Sequence, residues 1–152
     1  MATWADFEAA APDMAELGRR LIYRRPVGET FLATVRADAL PRLHPIYVAI
    51  LEGRLFAFLL PSPKATDLVE DGRYAMHAHQ DRAAPHEFAV RGRARPIDDE
   101  ASRTRIGAAW YFDVNDENHR LFEFDIDHVI VGARPTADDW PPRYTSWRSD
   151  RS

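Results

Sequence analysis

The sequence predicts an antiparallel β-barrel of six or seven strands with helical additions, and three observations carry that prediction. Strand-length apolar runs follow one another through residues 30–60, separated only by short turns that include Glu52-Gly53, a two-residue hairpin signal. Two later stretches alternate and complement each other: Arg91, Arg93 and Arg95 share one face of the first, Glu123, Asp125 and Asp127 one face of the second. Three helical stretches are interspersed among these strands, a mix that suits a barrel carrying helices on its outside.

At 152 residues the chain suits one domain with a single core, and no internal repeat or linker marks a second. A composition of 45% hydrophobic and 29% charged residues is that of a globular protein. The net charge of −4 supplies no basic field for nucleic acid, so no nucleic-acid partner is expected. The absence of cysteine excludes disulfides, thiolate zinc sites and a cysteine nucleophile. The N-terminus lacks a basic region followed by an apolar core, and the apolar runs Ile46–Leu51 and Leu55–Leu60 are too short to span a bilayer. A cytoplasmic protein without a membrane partner is the expectation.

Residues 3–22 place Phe7, Ala10, Met14, Leu17 and Leu21 at near-helical spacing, with Thr3 and Asp6 close to capping-box register. Pro12 interrupts the pattern, which predicts a short helix, a break near Ala11, and a second helix from Pro12 that ends before Pro26 and lies across the outside of the sheet. Strand one spans Thr30–Arg36. Strand two, from about Leu43 to Leu51, and strand three, Arg54–Leu60, are almost continuously apolar, which predicts burial on both faces. A helix then opens at Ser62, which suits an N-cap, followed by Pro63 at the first helical position, with Gly72 as its stop. Strand four runs Tyr74–His79, a QDRAAP loop follows, and strand five runs Glu87–Ile97. Asp98-Asp99-Glu100 opens a helix reaching about Trp110, 113–119 is a polar loop, and strand six spans Leu121–Val131. If strands five and six pair antiparallel, Arg91 to Arg95 lie opposite Asp127 to Glu123, each pair contributing about 0.2–1 kcal/mol, which counts against an arginine-rich nucleic-acid face. The stretch 132–152, with three prolines and the aromatics Trp140, Tyr144 and Trp147, reads as an irregular tail.

Lys64 is the only lysine among twenty basic residues, and it stands at the start of the helix after strand three. There the first backbone N–H groups are unpaired and the helix dipole is positive, so a phosphate would meet amides, the Ser62 hydroxyl and the Lys64 ammonium together. Arg36, at the end of strand one, can add a bidentate contact if that strand lies alongside. The competing reading is that Ser62 only caps the helix and Lys64 faces water.

The order and spacing of FLATVRADALPRLHPIYV, LFAFLLPSPKATDLVEDGRYAM and EFAVRGRARPIDD resemble the pyridoxamine 5′-phosphate oxidase-like split barrels that bind FMN, over residues 28–131. The resemblance implies one split-barrel domain over 1–152: an N-terminal helical segment at 3–22, the barrel at 28–131, and the aromatic tail at 132–152. It implies that Arg36, Ser62 and Lys64 hold the flavin phosphate, that Phe58, Leu59 and Leu60 lie along the cofactor, and that Glu87 lies near its ring. It also implies a homodimer with two cofactor sites at the interface, where Trp140, Tyr144 and Trp147 are candidates to complete the site across it. Pro63 stands where the true oxidase has an arginine, and the segment that holds pyridoxal phosphate there is not recognisable, so the vitamin substrate is not carried over. The resulting expectation is an FMN-dependent oxidoreductase acting on an unidentified small molecule, with no catalytic side chain singled out. The alternatives are a deazaflavin-dependent reductase and a non-catalytic flavin- or haem-binding protein of the same fold.

The histidines are weighed separately. His77 and His79 share a strand face and His86 begins the next strand, but a His-x-His on a half-exposed strand more simply faces solvent or bonds locally, so no metal is expected. His44, just before Pro45, is the histidine best placed for a cofactor or substrate pocket, with a structural role as its competitor. No Gly-x-Ser-x-Gly elbow occurs, which disfavours a serine hydrolase.

Overall fold

Residues 1–150 of the chain are described by the computed structural model. Its first turn begins where Thr3 and Asp6 form a reciprocal capping box, opening α1 (Trp4–Ala10). Ala11 breaks the helix and Pro12 starts α2 (Pro12–Ile22), as the proline spacing requires. Trp4 and Phe7 stack edge-on at 5.2 Å and are fully buried, so this helical pair contributes to the core in addition to covering the sheet.

Seven strands form one antiparallel sheet: β1 (Gly28–Val35), β2 (Pro41–Leu51), β3 (Arg54–Leu59), β4 (Arg73–Ala78), β5 (Glu87–Ile97), β6 (Arg120–Ala133) and β7 (Arg143–Arg148). Their order is β3-β2-β1-β4-β5-β6-β7, and β3 also pairs with β6, which closes six strands into a barrel with β7 as an addition. β6 can serve three partners because it is 14 residues long. Arg120–Phe124 pair with β3, His128–Ala133 pair with β7, and Ala2 bridges Ile126 between them. The strand found at 143–148 corrects the expectation of an irregular tail. Its alternation is nearly all exposed, so periodicity did not mark it, and β6 supplies the pairing that makes it a strand. Residues 151–152 of that tail lie outside the described residues.

The β2–β3 hairpin turns on Glu52 and Gly53 with φ of 52° and 70°, the geometry that two-residue loops need. Its tip docks on α1, where Ala5 N–H donates to the Gly53 carbonyl at 2.8 Å. The arginine and acid ladders meet as expected in two of three rows, Arg93 opposite Asp125 and Arg95 opposite Glu123. The third differs: a bulge between Arg91 and Gly92 leaves Asp127 unpaired and puts Arg91 opposite His128. Glu123, only 2% exposed, accepts from Arg95 and, at 2.8 Å, from Arg54 on β3, so the acid ties both sides of the barrel closure.

The barrel interior holds Leu32, Val48, Leu55, Met76, Phe88, Phe122, Phe124 and Val129 among others. A second apolar cluster, Phe56, Phe58, Ile106, Trp110 and Leu121, lies between the outside of β3 and α4 (Glu100–Ala108). Burial on both faces, expected of β2 and β3 alike, holds for β3, which lies between these two clusters, but β2 departs from it, with Leu43 66% and Tyr47 48% exposed on its outer face. No helix among the described residues is long and apolar enough to cross a membrane.

Candidate functional site

The helix after β3, α3 (Pro63–Glu70), begins as its sequence requires. Ser62 is the N-cap, its hydroxyl accepting from Ala65 N–H at 3.4 Å and donating to the Leu60 carbonyl at 2.9 Å, and Pro63 occupies the first turn. Gly72 closes the helix at φ 82°, a conformation glycine adopts without strain. Lys64 is half-buried and its ammonium makes no hydrogen bond or ion pair with any described residue. The start of α3 therefore combines the Lys64 N–H, left over once Ala65 and Thr66 bond to Ser62, with the positive end of a dipole and an unpaired ammonium.

What holds α3 in place is a buried polar cluster that the sequence reading missed. Asp67, 6% exposed, accepts from the Thr34 hydroxyl of β1 at 2.6 Å and from Arg42 Nε of β2 at 2.9 Å. Burial alone would push the Asp67 carboxyl up; the Thr34 hydroxyl and the Arg42 guanidinium outweigh it and hold the group below its ordinary range. The structure brings the three together: Thr34 and Arg42 are directly opposed on β1 and β2, and Asp67 lies one turn beyond Lys64, between the buried Ala65 and Leu68.

Arg36, expected to add a phosphate contact if strand one lies alongside α3, falls just beyond β1 and pairs with Asp38 at 3.0 Å. With Arg42, Pro63 and Thr66 it lines a groove of about 460 Å³ on one side of α3. On the other side a cleft of about 570 Å³ is lined by Ser62, Thr66, Arg103, His119 and Arg120. Arg103 donates to the His119 carbonyl at 2.6 Å and Arg120 pairs with Asp98 at 3.0 Å, so this wall is braced from within. His44 lies two residues beyond Arg42 on the same β2 face, half-buried and opposite Leu32.

The remaining site candidates separate. Phe58 is buried against Trp110 with ring centroids 5.2 Å apart, and Leu59, the last residue of β3, is 5% exposed, so of the three candidates only Leu60, just past the strand and 52% exposed, presents its side chain. Glu87 begins β5 at the end away from Asp98; eleven strand residues at about 3.3 Å each put it on the order of 30 Å from the α3 side of the barrel. One chain therefore does not bring Glu87 to Ser62 and Lys64. It brings Glu87 to Tyr144 instead: the Tyr144 hydroxyl donates to Glu87 Oε2 at 2.7 Å, passing over Gly132, where a Cβ would lie 2.5 Å from that same oxygen. This bond raises the Tyr144 hydroxyl above its ordinary value. Next to it the Arg134 guanidinium lies 5.1 Å over the exposed Trp140 ring, whereas Trp147 turns inward to Phe7 at 5.3 Å.

The histidines do not converge. His77 Nδ1 lies 2.6 Å from the Ala78 carbonyl, His79 stacks on Phe31 at 4.2 Å, and His86 Nδ1 accepts from Arg134 N–H at 2.9 Å. No group of three or more metal-ligating side chains is found among the described residues.

No protein-family model matches the sequence, and no curated protein matches it. Solved structures do match the fold. The chain is similar to a Clostridium acetobutylicum protein related to general stress protein 26 of the pyridoxinephosphate oxidase family, with a TM-score of 0.67 and 10% identity over 91% of this chain and 96% of that one. It is similar to a Listeria innocua protein assigned as a pyridoxamine 5′-phosphate oxidase, with a TM-score of 0.61 and 14% identity over 76% and 95%. It is also similar to a haem-binding protein from Mycobacterium smegmatis, with a TM-score of 0.58 and 17% identity over 77% of this chain and 52% of that one. At these identities the likeness establishes the split-barrel fold.

Proposed function

We propose, for a chain that carries the split-barrel fold of the pyridoxamine 5′-phosphate oxidase-like proteins, that it is an FMN-dependent oxidoreductase working as a homodimer on a small molecule. The observation that carries this reading is Lys64, half-buried in the first turn of α3 beside the Ser62 cap and without a partner among the described residues. A phosphate placed there would receive charge-assisted bonds from the Lys64 ammonium, one from the Lys64 N–H, and others from Arg36 once that side chain leaves Asp38. Leu60 would lie along the cofactor.

The homodimer is supported by the outer face of β1 and β2, where Phe31, Leu43 and Tyr47 are 38%, 66% and 48% exposed in one patch. In such a homodimer, Glu87 and Tyr144 of one copy are candidates to complete the site at the other copy's α3, since one chain keeps them about 30 Å apart. FMN, when bound, supplies the hydride or electron transfer. The chain's residues would bind and orient: Lys64 and Ser62 would hold the phosphate, Leu60 would exclude water, and Tyr144, fixed by its bond to Glu87, would line the region near the ring.

The test is titration of the purified protein with FMN, a deazaflavin and haem in parallel. FMN binding at one per subunit, weakened at least about tenfold in Lys64→Ala with ligand-free thermal stability unchanged, is the expected result. Equal affinity in the variant would overturn the phosphate assignment. Binding of haem alone would favour the non-catalytic reading, which the likeness to the haem-binding neighbour supports.

A further inference from the structure

We infer that the outer face of β5, β6 and β7 holds a second anion site, for a phosphate dianion, free or as the terminal group of a small molecule, formed by Arg91, His128 and Arg148. This site is independent of the flavin reading. The three residues form one row: Arg91 is opposite His128 across β5–β6, and His128 is opposite Arg148 across β6–β7. Directly opposed residues share a face with Cβ atoms about 4.5–5.5 Å apart, so two guanidiniums flank one imidazole. The row exists because of the bulge, which moves Asp127 out of register and leaves Arg91 facing a histidine in place of an acid.

Like charges so placed repel, and elsewhere on the barrel the protein neutralises them. Arg54 and Arg95 share Glu123, and Arg73 is bonded by both oxygens of Asp71. Arg91 and Arg148 are exposed and their guanidiniums make no hydrogen bond or ion pair with any described residue. His128 is 7% exposed, and its buried Nδ1 has no partner. A buried polar atom without a partner costs on the order of 1–3 kcal/mol, so His128 is held in the row at a cost that no bond within the described residues offsets.

The surroundings favour an anion. Next to Arg91 a groove of about 430 Å³ is lined by Met1, Arg73, Arg91, Arg93 and Asp127; with Arg73 bonded to Asp71, Arg91 and Arg93 face the single acid Asp127. Among the described residues, Asp127 beside His128 and Asp150, two positions after Arg148, are the carboxylates near the row, and Asp71 is already committed to Arg73. Two forked guanidiniums offer bidentate bonds to a tetrahedral oxyanion, and the imidazole offers one further N–H. Burial first, then Arg148 and Arg91, keep His128 below its ordinary value and hence neutral at pH 7. A bound dianion would counter both arginines, so the His128 pKa must rise on binding.

The experiment is titration of the intact protein with inorganic phosphate at low ionic strength, following the His128 imidazole resonance by NMR. The expected result is a saturable shift with a His128 pKa higher by about one unit at saturation, and affinity weakened at least about tenfold in both Arg91→Gln and Arg148→Gln. Lys64→Ala, which alters the proposed flavin-phosphate site, should leave this binding unchanged. A His128 resonance unmoved by phosphate, or a doubly substituted protein that binds like the parent, would overturn the site. Equal weakening by Lys64→Ala would place the anion at α3 instead. If the two arginine substitutions dissociate a dimer while phosphate has no effect, the row pairs with acids of a second copy and the anion site falls.

Discussion

Replacing Asp67 by alanine should destabilise the protein by about 2–4 kcal/mol, and the figure follows from what the carboxylate holds. Thr34 is 1% exposed and its hydroxyl donates to Asp67 at 2.6 Å, so it would lose its acceptor in the interior, at about 1–2 kcal/mol. The Arg42 side chain is 26% exposed and would regain part of its hydration. The 3–5 kcal/mol of a broken, fully buried ion pair is therefore discounted to about 1–2 kcal/mol. At about 2–4 °C per kcal/mol for a chain of this size, the midpoint should fall by roughly 4–16 °C. Urea unfolding monitored by tryptophan fluorescence measures this directly. The pH dependence is a separate check. The folded carboxyl titrates below its unfolded value, so its contribution is complete above the unfolded pKa of about 3.9 and is lost as the pH falls through the folded one. The acid limb of the stability curve should accordingly flatten in Asp67→Asn. A loss below about 1 kcal/mol in Asp67→Ala, or an unaltered acid limb in Asp67→Asn, would refute the view that this cluster anchors α3.

Three further substitutions test other joints of the fold. Tyr111→Phe removes a hydroxyl that accepts from Gly28 N–H at 3.0 Å and donates to the Val48 carbonyl at 2.6 Å, and should cost about 2–3 kcal/mol in urea unfolding. Gly18→Ala would put a Cβ 2.4 Å from the Phe88 ring, forcing α2 off the barrel, with an expected loss of about 1–3 kcal/mol and faster proteolysis of the N-terminal helices. Ala39→Gly, at a position with φ 67°, should instead raise the unfolding midpoint by the equivalent of about 0.5–1 kcal/mol, because glycine adopts the left-handed region without the Cβ clash.

How far the site was legible varied with the range of the interaction involved. The Ser62 cap, Pro63 at the first turn and the Gly72 stop were readable because caps are made within four residues of the helix end. Arg42 was not, because its role depends on Asp67, which is distant in sequence and reached only when α3 packs across β1 and β2. The Glu87–Tyr144 bond was likewise unreadable: it spans 57 positions and needs β5, β6 and β7 in register, with a glycine between the two side chains.

Local chemistry and periodicity by themselves determined the paired N-terminal helices, the Glu52-Gly53 hairpin, the two-sided burial of β3, and the match of Arg93 and Arg95 with Asp125 and Glu123. These depend on neighbours along the chain or on a pattern of period two, both of which are present before folding. Only the tertiary structure decided that 143–148 forms a strand, that a bulge turns Arg91 toward His128, and that Glu87 lies at the far end of the barrel from Lys64. Each of these is settled by pairing between distant segments, and the hydrogen-bond partner that makes an exposed, polar stretch a strand is supplied by another part of the chain.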